Sequence, residues 1–268
     1  MLSYQHAYHA GNLADVHKHG LLAWALDYLT RKDKPLSYIE THAGRGLYDL
    51  SGPEATKTGE AAQGIARAEA AFPSDHPYRR VLTALRAAQG ETAYPGSPLV
   101  AQAILRDSDT RHLAELHPGE HAALAQAAKG ARLYREDGFA LAHSLVPPTP
   151  RRGLLLCDPS YEIKADYAAI PRHFQKLHKA WNVGILMLWY PILADARHAP
   201  MLDALTRAFP EAHRSEIRFP PAREGHGMTG SGLFTVNPPF GLAEESARLA
   251  AALAQTEMDK TRPLRHSR

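Results

Sequence analysis

A chain of 268 residues with 44% apolar and 22% charged residues can bury a substantial core and sits near the upper size of one domain. The 31 Lys and Arg against 28 Asp and Glu leave a net charge of +3, which permits a polyanionic partner without specifying one. The single cysteine, Cys157, excludes an internal disulfide, the longest apolar run (residues 183–191) is too short to span a bilayer, and residues 1–6 are no signal peptide, so a cytoplasmic protein without a membrane partner is expected.

In chain order, residues 11–31 read as a leading amphipathic helix with Val16, Leu21, Leu22, Ala25 and Leu29 on one side. The first β-type run is 36–41. Residues 51–94 are Ala-rich with a helical period, and a structureless loop of that size is improbable in a compact domain. They are predicted to form a helical insertion subdomain within one domain spanning 1–268. Ser97-Pro98 offers a capping hydroxyl and an N1 proline to a helix over 99–106. Further β-type runs fall at 111–116, 131–134, 153–157, 183–190, 213–219 and 232–237, with helical stretches at 118–128, 139–145 and 165–180. The apolar runs Leu154-Leu155-Leu156 and Ile185-Leu186-Met187-Leu188 suit strands buried on both faces. Residues 220–230 carry no helical period, so the last two runs are predicted to form a hairpin that sets one antiparallel strand at the sheet edge. The tail from 256 to 268 reads as a frayed basic end. The predicted fold is a doubly wound α/β, seven-stranded, mostly parallel sheet with its last strand antiparallel, the layout of class I methyltransferases. At this level that is an analogy of fold alone.

Four strand ends carry candidate chemistry. Glu40-Thr41-His42-Ala43-Gly44-Arg45-Gly46 follows the first run, and its glycines let the backbone approach a ligand closely. Neither the phosphate loop nor the dinucleotide fingerprint is spelled there. Glu115, ending the second run, is placed to accept ribose hydroxyls, and the carboxylate of Glu136-Asp137-Gly138 to meet an adenine amino group. Asp158-Pro159-Ser160-Tyr161 ends the fourth run, where amino-group methyltransferases carry Asp/Asn-Pro-Pro-aromatic. An adenine amino nitrogen is a poor nucleophile because its lone pair is delocalised into the ring. A carboxylate and a backbone carbonyl accepting its two N–H bonds localise that lone pair, while the aromatic ring stacks on the extruded base. Asn237-Pro238-Pro239-Phe240 spells that pattern more closely, but it follows the seventh run. It is read as a strand exit with Phe240 packed on the core. His6, His9, His17 and His19 lack the spacing of a zinc site, so no metal is expected. Residues 225–230 are read as a mobile loop near the site.

The chain resembles the bacterial 23S ribosomal RNA adenine N6-methyltransferases that modify a single large-subunit adenine. Met1-Leu2-Ser3-Tyr4, His9-Ala10-Gly11-Asn12, Lys18-His19, Thr41-His42-Ala43-Gly44 and Tyr94-Pro95-Gly96-Ser97-Pro98 carry the resemblance. So do Glu115-Leu116-His117-Pro118, Asp137-Gly138-Phe139 and Leu188-Trp189-Tyr190-Pro191. The resemblance implies an S-adenosylmethionine-dependent methyltransferase with a small helical insertion, acting as a monomer on protein-free RNA. It implies that Lys18, His19, His42, Ser97, Glu115, Asp137, Gly138 and Asp158 contact the cofactor. Asp158 is also implied as the catalytic acid and Tyr4 as an RNA contact; Pro159 and Tyr161 complete the substrate side. Ser160 replaces the family's second proline, which is expected to loosen the loop. Two other readings remain open: methylation of DNA adenine or a protein glutamine by the same loop, and a non-enzymatic RNA-binding protein.

Overall fold

The computed structural model describes residues 6–221 and 227–260. Seven strands form one sheet: β1 (Ser37–Glu40), β4 (Thr110–Ala114), β5 (Arg132–Tyr134), β6 (Gly153–Cys157), β7 (Ile185–Leu193), β8 (His213–Arg218) and β9 (Met228–Val236). Each of the seven sequence runs supplies one of them. The order across the sheet is β5-β4-β1-β6-β7-β9-β8, and the first five are parallel. Strand β9 is antiparallel to both β7 and β8, so β8 runs with the parallel set. The antiparallel strand therefore lies inside the sheet, not at its edge as expected. Its residues are buried continuously from Gly230 to Val236, which demands a partner on each side. By contrast, β8 exposes Arg214 and Arg218, charges that suit an edge. A separate ladder of β2 (Leu47–Asp49) and β3 (Ala93–Pro95) was not foreseen.

The helices are α1 (Leu13–Thr30), α2 (Pro53–Thr58), α3 (Glu60–Gln63), α4 (Ile65–Ala68), α5 (Pro77–Gln89), α6 (Ser97–Ile104), α7 (Pro118–Ala127), α8 (Gly138–Leu145), α9 (Asp166–Ala180), α10 (Ala199–Ala208) and α11 (Leu242–Lys260). Two apolar layers follow from the alternation of strand side chains. Leu154 and Leu156 join Leu22, Leu26 and Met187 on one face, while Leu155 and Cys157 join Ile170, Phe174 and Trp181 on the other. Helix α1 is not amphipathic. It packs against α5, α6, α11 and β9, and Asp15, His17, Lys18 and His19 are as buried as Leu21 and Leu22. Gly20 lets this happen, since a Cβ there would lie 2.7 Å from the Phe72 ring.

Three further expectations need correction. Ser97 is the first residue of α6, not its cap. Gly96 holds the cap position, and the Ser97 hydroxyl is given to the Glu40 carboxyl instead. Phe240 is 84% exposed and does not pack on the core. Asn237, at φ +53°, donates to the carbonyls of Asn182 and Gly184 and turns the chain out beyond the entry of β7, at the sheet edge opposite the carboxyl ends of the parallel strands. Finally, α11 continues through residues 256–260, where the sequence suggested fraying.

His17 ties α1 to the outer strands. Its Nδ1 lies 3.0 Å from the Ser231 hydroxyl on β9 and its Nε2 lies 2.9 Å from the Ser215 hydroxyl on β8. Burial pushes its pKa down from 6.5 to about 3, so it stays neutral in the fold. Below pH 6.5 the unfolded chain takes up a proton that the folded chain refuses. The contribution is thus complete above pH 6.5 and is lost as pH falls toward 3. His17→Gln should flatten stability against pH between 6.5 and 4 by about 1.4 kcal/mol per pH unit relative to the unsubstituted chain. Urea midpoints across that range measure this, and parallel curves would refute it.

Candidate active site

The carboxyl ends of β1, β4, β5, β6 and β7 open into a cavity of about 650 Å³, a size suited to a nucleoside-bearing ligand. Lys18, His19, His42, Ser97, Glu115, Asp137, Gly138, Asp158, Pro159 and Tyr161 all line it. Tyr4 lies outside the described residues, as do residues 225 and 226 of the 225–230 loop; Gly227 and Met228 reach the cavity wall.

On the β1–β4–β5 side the wall is shaped by backbone. Gly44 and Gly46 adopt φ of +63° and +80°, conformations costly for a residue with a Cβ. The Gly44 N–H donates to Glu115 Oε2 at 2.8 Å, and the His117 N–H donates to Oε1 at 2.7 Å. These two bonds aim the carboxylate, whose pKa burial raises. Asp137 is exposed at the wall and caps α8 by accepting the Ala140 N–H at 2.8 Å. Gly138 owes its identity to close approach: a Cβ would fall 1.8 Å from the Thr41 carbonyl oxygen. His42 stands edge-on to Phe139 at 5.1 Å, and burial pushes its pKa down to about 4.

On the β6 side a single ammonium holds two carboxylates. Lys18 Nζ lies 2.6 Å from Asp158 Oδ2 and 3.1 Å from Asp15 Oδ1, with the lysine 4% and Asp15 1% exposed. Burial alone would lower the lysine pKa, but Asp158 and Asp15 reverse this and hold it well above its ordinary value. Asp15 also accepts the Gly11 N–H and lies 2.9 Å from His6 Nε2. Burial would raise its pKa, yet His6, Lys18 and His19 keep it well below the usual carboxylate range. Two carboxylates thus share one ammonium, with the His6 ring against the second carboxylate oxygen of Asp15. Beneath it, burial pushes Glu40 up to about 8 despite hydrogen bonds from Ser97 and Tyr38, so it is largely neutral near pH 7. His19 places Nδ1 3.1 Å from the Tyr94 hydroxyl, while its buried Nε2 has no hydrogen-bond partner among the described residues. A polar group of a bound ligand would satisfy that orphan.

The Asp158–Tyr161 loop leaves β6 and turns at Tyr161, which sits at φ +57°. Its hydroxyl donates to the Trp189 carbonyl at 2.7 Å, and its ring packs 4.7 Å from Tyr167. The ring is thus largely buried. Trp189, unassigned from sequence, supplies a second aromatic wall, anchored by an Nε1–H bond to the Ser231 hydroxyl.

A family profile described as "Ribosomal RNA large subunit methyltransferase D, RlmJ" matches residues 33–264. The chain belongs to this family. It is 38% identical over 252 residues to the Ribosomal RNA large subunit methyltransferase J of Escherichia coli, covering 91% of this chain and 90% of that protein. It is 34% identical over 264 residues to the Haemophilus influenzae protein of the same name, covering 96% and 94%. A crystal structure of a Legionella pneumophila protein shares the fold, with a TM-score of 0.84, 35% identity and coverage of 92% and 94%.

Sequence reasoning gave Asp15 and Trp189 no role beyond the resemblance, weighed His6 only as a metal ligand, and took Glu40 only as the start of the Glu40–Gly46 stretch. Asp15 was legible as the i−3 neighbour of Lys18, but only the fold brings Asp158, 140 positions away, to the same ammonium. His6, His9, His17 and His19 meet Asp15, Glu60, Ser215 with Ser231, and Tyr94 respectively. Among the described residues no group of three metal-ligating side chains stands together, and no helix is long and apolar enough to cross a membrane. Gly138→Ala must push α8 away from β1, and should lower stability by about 2–4 kcal/mol. Urea denaturation together with calorimetric binding of S-adenosylmethionine measures this; unchanged stability and binding would contradict the close-approach account.

Proposed function

We propose that this chain transfers the methyl group of S-adenosylmethionine to N6 of an adenine in 23S ribosomal RNA. It does so as a cytoplasmic monomer, on RNA not yet covered by protein, and as one domain in which residues 51–94 are an insertion. The observation that carries the reading is the Lys18–Asp158 ion pair at the mouth of the Asp158-Pro159-Ser160-Tyr161 loop.

The cavity fits the cofactor. Glu115, aimed by two backbone N–H groups, suits ribose hydroxyls; Asp137 suits the adenine amino group; His19 and Ser97 line the wall left for the amino-acid end. The Asp15 and Asp158 carboxylates at Lys18 favour a cationic sulfonium. When bound, the cofactor supplies an electrophilic methyl group and leaves as a neutral thioether.

The chain's own residues prepare the nucleophile. Lys18 takes Asp158 Oδ2 and fixes the plane of the carboxylate. Asp158 and the Pro159 carbonyl each accept one N–H of the adenine amino group, turning its lone pair toward the methyl group. As the nitrogen gains the methyl it sheds one proton through the Asp158 carboxylate. Tyr161, braced by Tyr167 and Trp189, lines the place the base enters. His42, neutral near pH 7, brings no competing positive charge.

Labelled S-adenosylmethionine and deproteinised large-subunit RNA should give label on one adenine, with duplex DNA and protein as competing acceptors left unlabelled. Asp158→Asn should lower the single-turnover rate by about 10²–10³-fold with cofactor binding retained. Label on DNA or protein, or a fully active variant, would sink the reading.

A further inference from the structure

Only four large apolar side chains are strongly exposed among the described residues: Leu116, Ile163, Val183 and Phe240. Val183 and Phe240 belong to the end of the sheet opposite the cavity. Leu116 follows Glu115 on the wall read above as the cofactor side. Ile163 differs. It is 53% exposed, lines the cavity, and stands two residues beyond Tyr161 on the reacting side.

A single exposed isoleucine is ordinary on a protein surface, so the significance of Ile163 lies in its place on the rim of the ligand cavity beside the Asp158-Pro159-Ser160-Tyr161 loop. Its mounting is firm. Tyr161 is pinned by its hydroxyl bond to the Trp189 carbonyl and by Tyr167, and the Ile163 carbonyl accepts the Asp166 N–H at 2.9 Å as α9 begins. Its neighbours Glu162 and Lys164 are exposed, so the tip protrudes between solvated side chains, one of them a cation able to meet a phosphate. Asp158, by contrast, is recessed, its side chain 14% exposed. An adenine amino group reaches it only if the base leaves its stack.

We infer that Ile163 is the wedge that enters the RNA stack as the target adenine swings into the cavity. Its branched side chain fills the space the base vacates and packs on the neighbouring base, offsetting part of the unstacking cost. Lys164 steadies the adjacent phosphate, which places the rim of this loop on the RNA backbone. The inference rests on the proposed function.

The labelling experiment maps the modified adenine, and a short RNA carrying it stacked in a duplex is then compared with one in which it is the single unstacked nucleotide next to an abasic site on each side. Ile163→Ala should raise the ratio of kcat/KM on unstacked over stacked RNA about tenfold, and Ile163→Met should restore it. With 2-aminopurine as the target base, the fluorescence rise on binding should be largely lost in Ile163→Ala while the melting temperature of the protein is kept. Equal losses on the two RNAs, or none, overturn the wedge. A wild-type enzyme that labels no RNA overturns the proposed function instead.

Discussion

The structure hangs on one buried ammonium. Lys18 sits on α1, Asp15 one turn before it, and Asp158 at the end of the central strand β6. Burying three charges is costly, and removing one partner of such a group typically costs about 3–5 kcal/mol because a charge is left uncompensated. That constraint decides where α1 can lie. For Lys18 to reach β6 the helix must lie close to the sheet, which in turn buries His17 and His19 and brings Gly20 against Phe72. The residues between β1 and α6 then serve as cladding, because α5 and β3, with α6, α11 and the short helices, cover the sides of α1 that the sheet does not.

The same constraint separates two kinds of chemistry across the cavity. On the β1–β4–β5 side, selectivity comes from backbone: glycines in left-handed conformations, N–H groups on Glu115, and the contact of Gly138 with Thr41. That wall grips a ligand through fixed backbone geometry. On the β6–β7 side, ionised side chains and aromatic rings dominate, and burial sorts their charge. Burial pushes Glu40 up to about 8 and His19 down to about 3, while its carboxylate partners hold Lys18 well above its ordinary value and its cationic neighbours hold Asp15 well below the carboxylate range.

What was legible in the sequence follows from range. The seven strands of the main sheet were readable because runs such as Leu154-Leu155-Leu156 bury both faces and turn signals bound them. His42, Glu115, Asp137 and Asp158 were readable because strand ends in an open α/β sheet converge, whereas Lys18, His19 and Ser97, which sit on helices, came from the resemblance alone. Features set by distant partners were not readable. Strands β2 and β3 have three residues each and pair across a 43-residue gap. Ser97 looks like a helix cap until β1 brings Glu40 to its hydroxyl. The polarity of α1 suggested one wet face, because nothing local announces that Lys18 pairs with Asp158 beyond β6 or that His17 bonds to the β8–β9 hairpin. Asn237-Pro238-Pro239-Phe240 shows the converse: its letters match a catalytic loop, yet its strand runs antiparallel and delivers it to the opposite end of the sheet.

Ser160 illustrates the remaining gap between a motif and its mechanics. A second proline would stiffen this loop by fixing a backbone angle, so its absence reads as lost rigidity. The structure supplies restraint of another kind. Tyr161 is held in the left-handed region, at a cost of about 1–2 kcal/mol for a residue with a Cβ. It stays there because its hydroxyl is bonded to Trp189 and its ring is packed on Tyr167. Pro159 still orients its own carbonyl, and the turn that follows is fastened from the far side by α9 and β7. Rigidity has moved from a ring closure within the loop to anchors outside it, and the arrangement of Asp158 and the Pro159 carbonyl does not depend on the residue that changed.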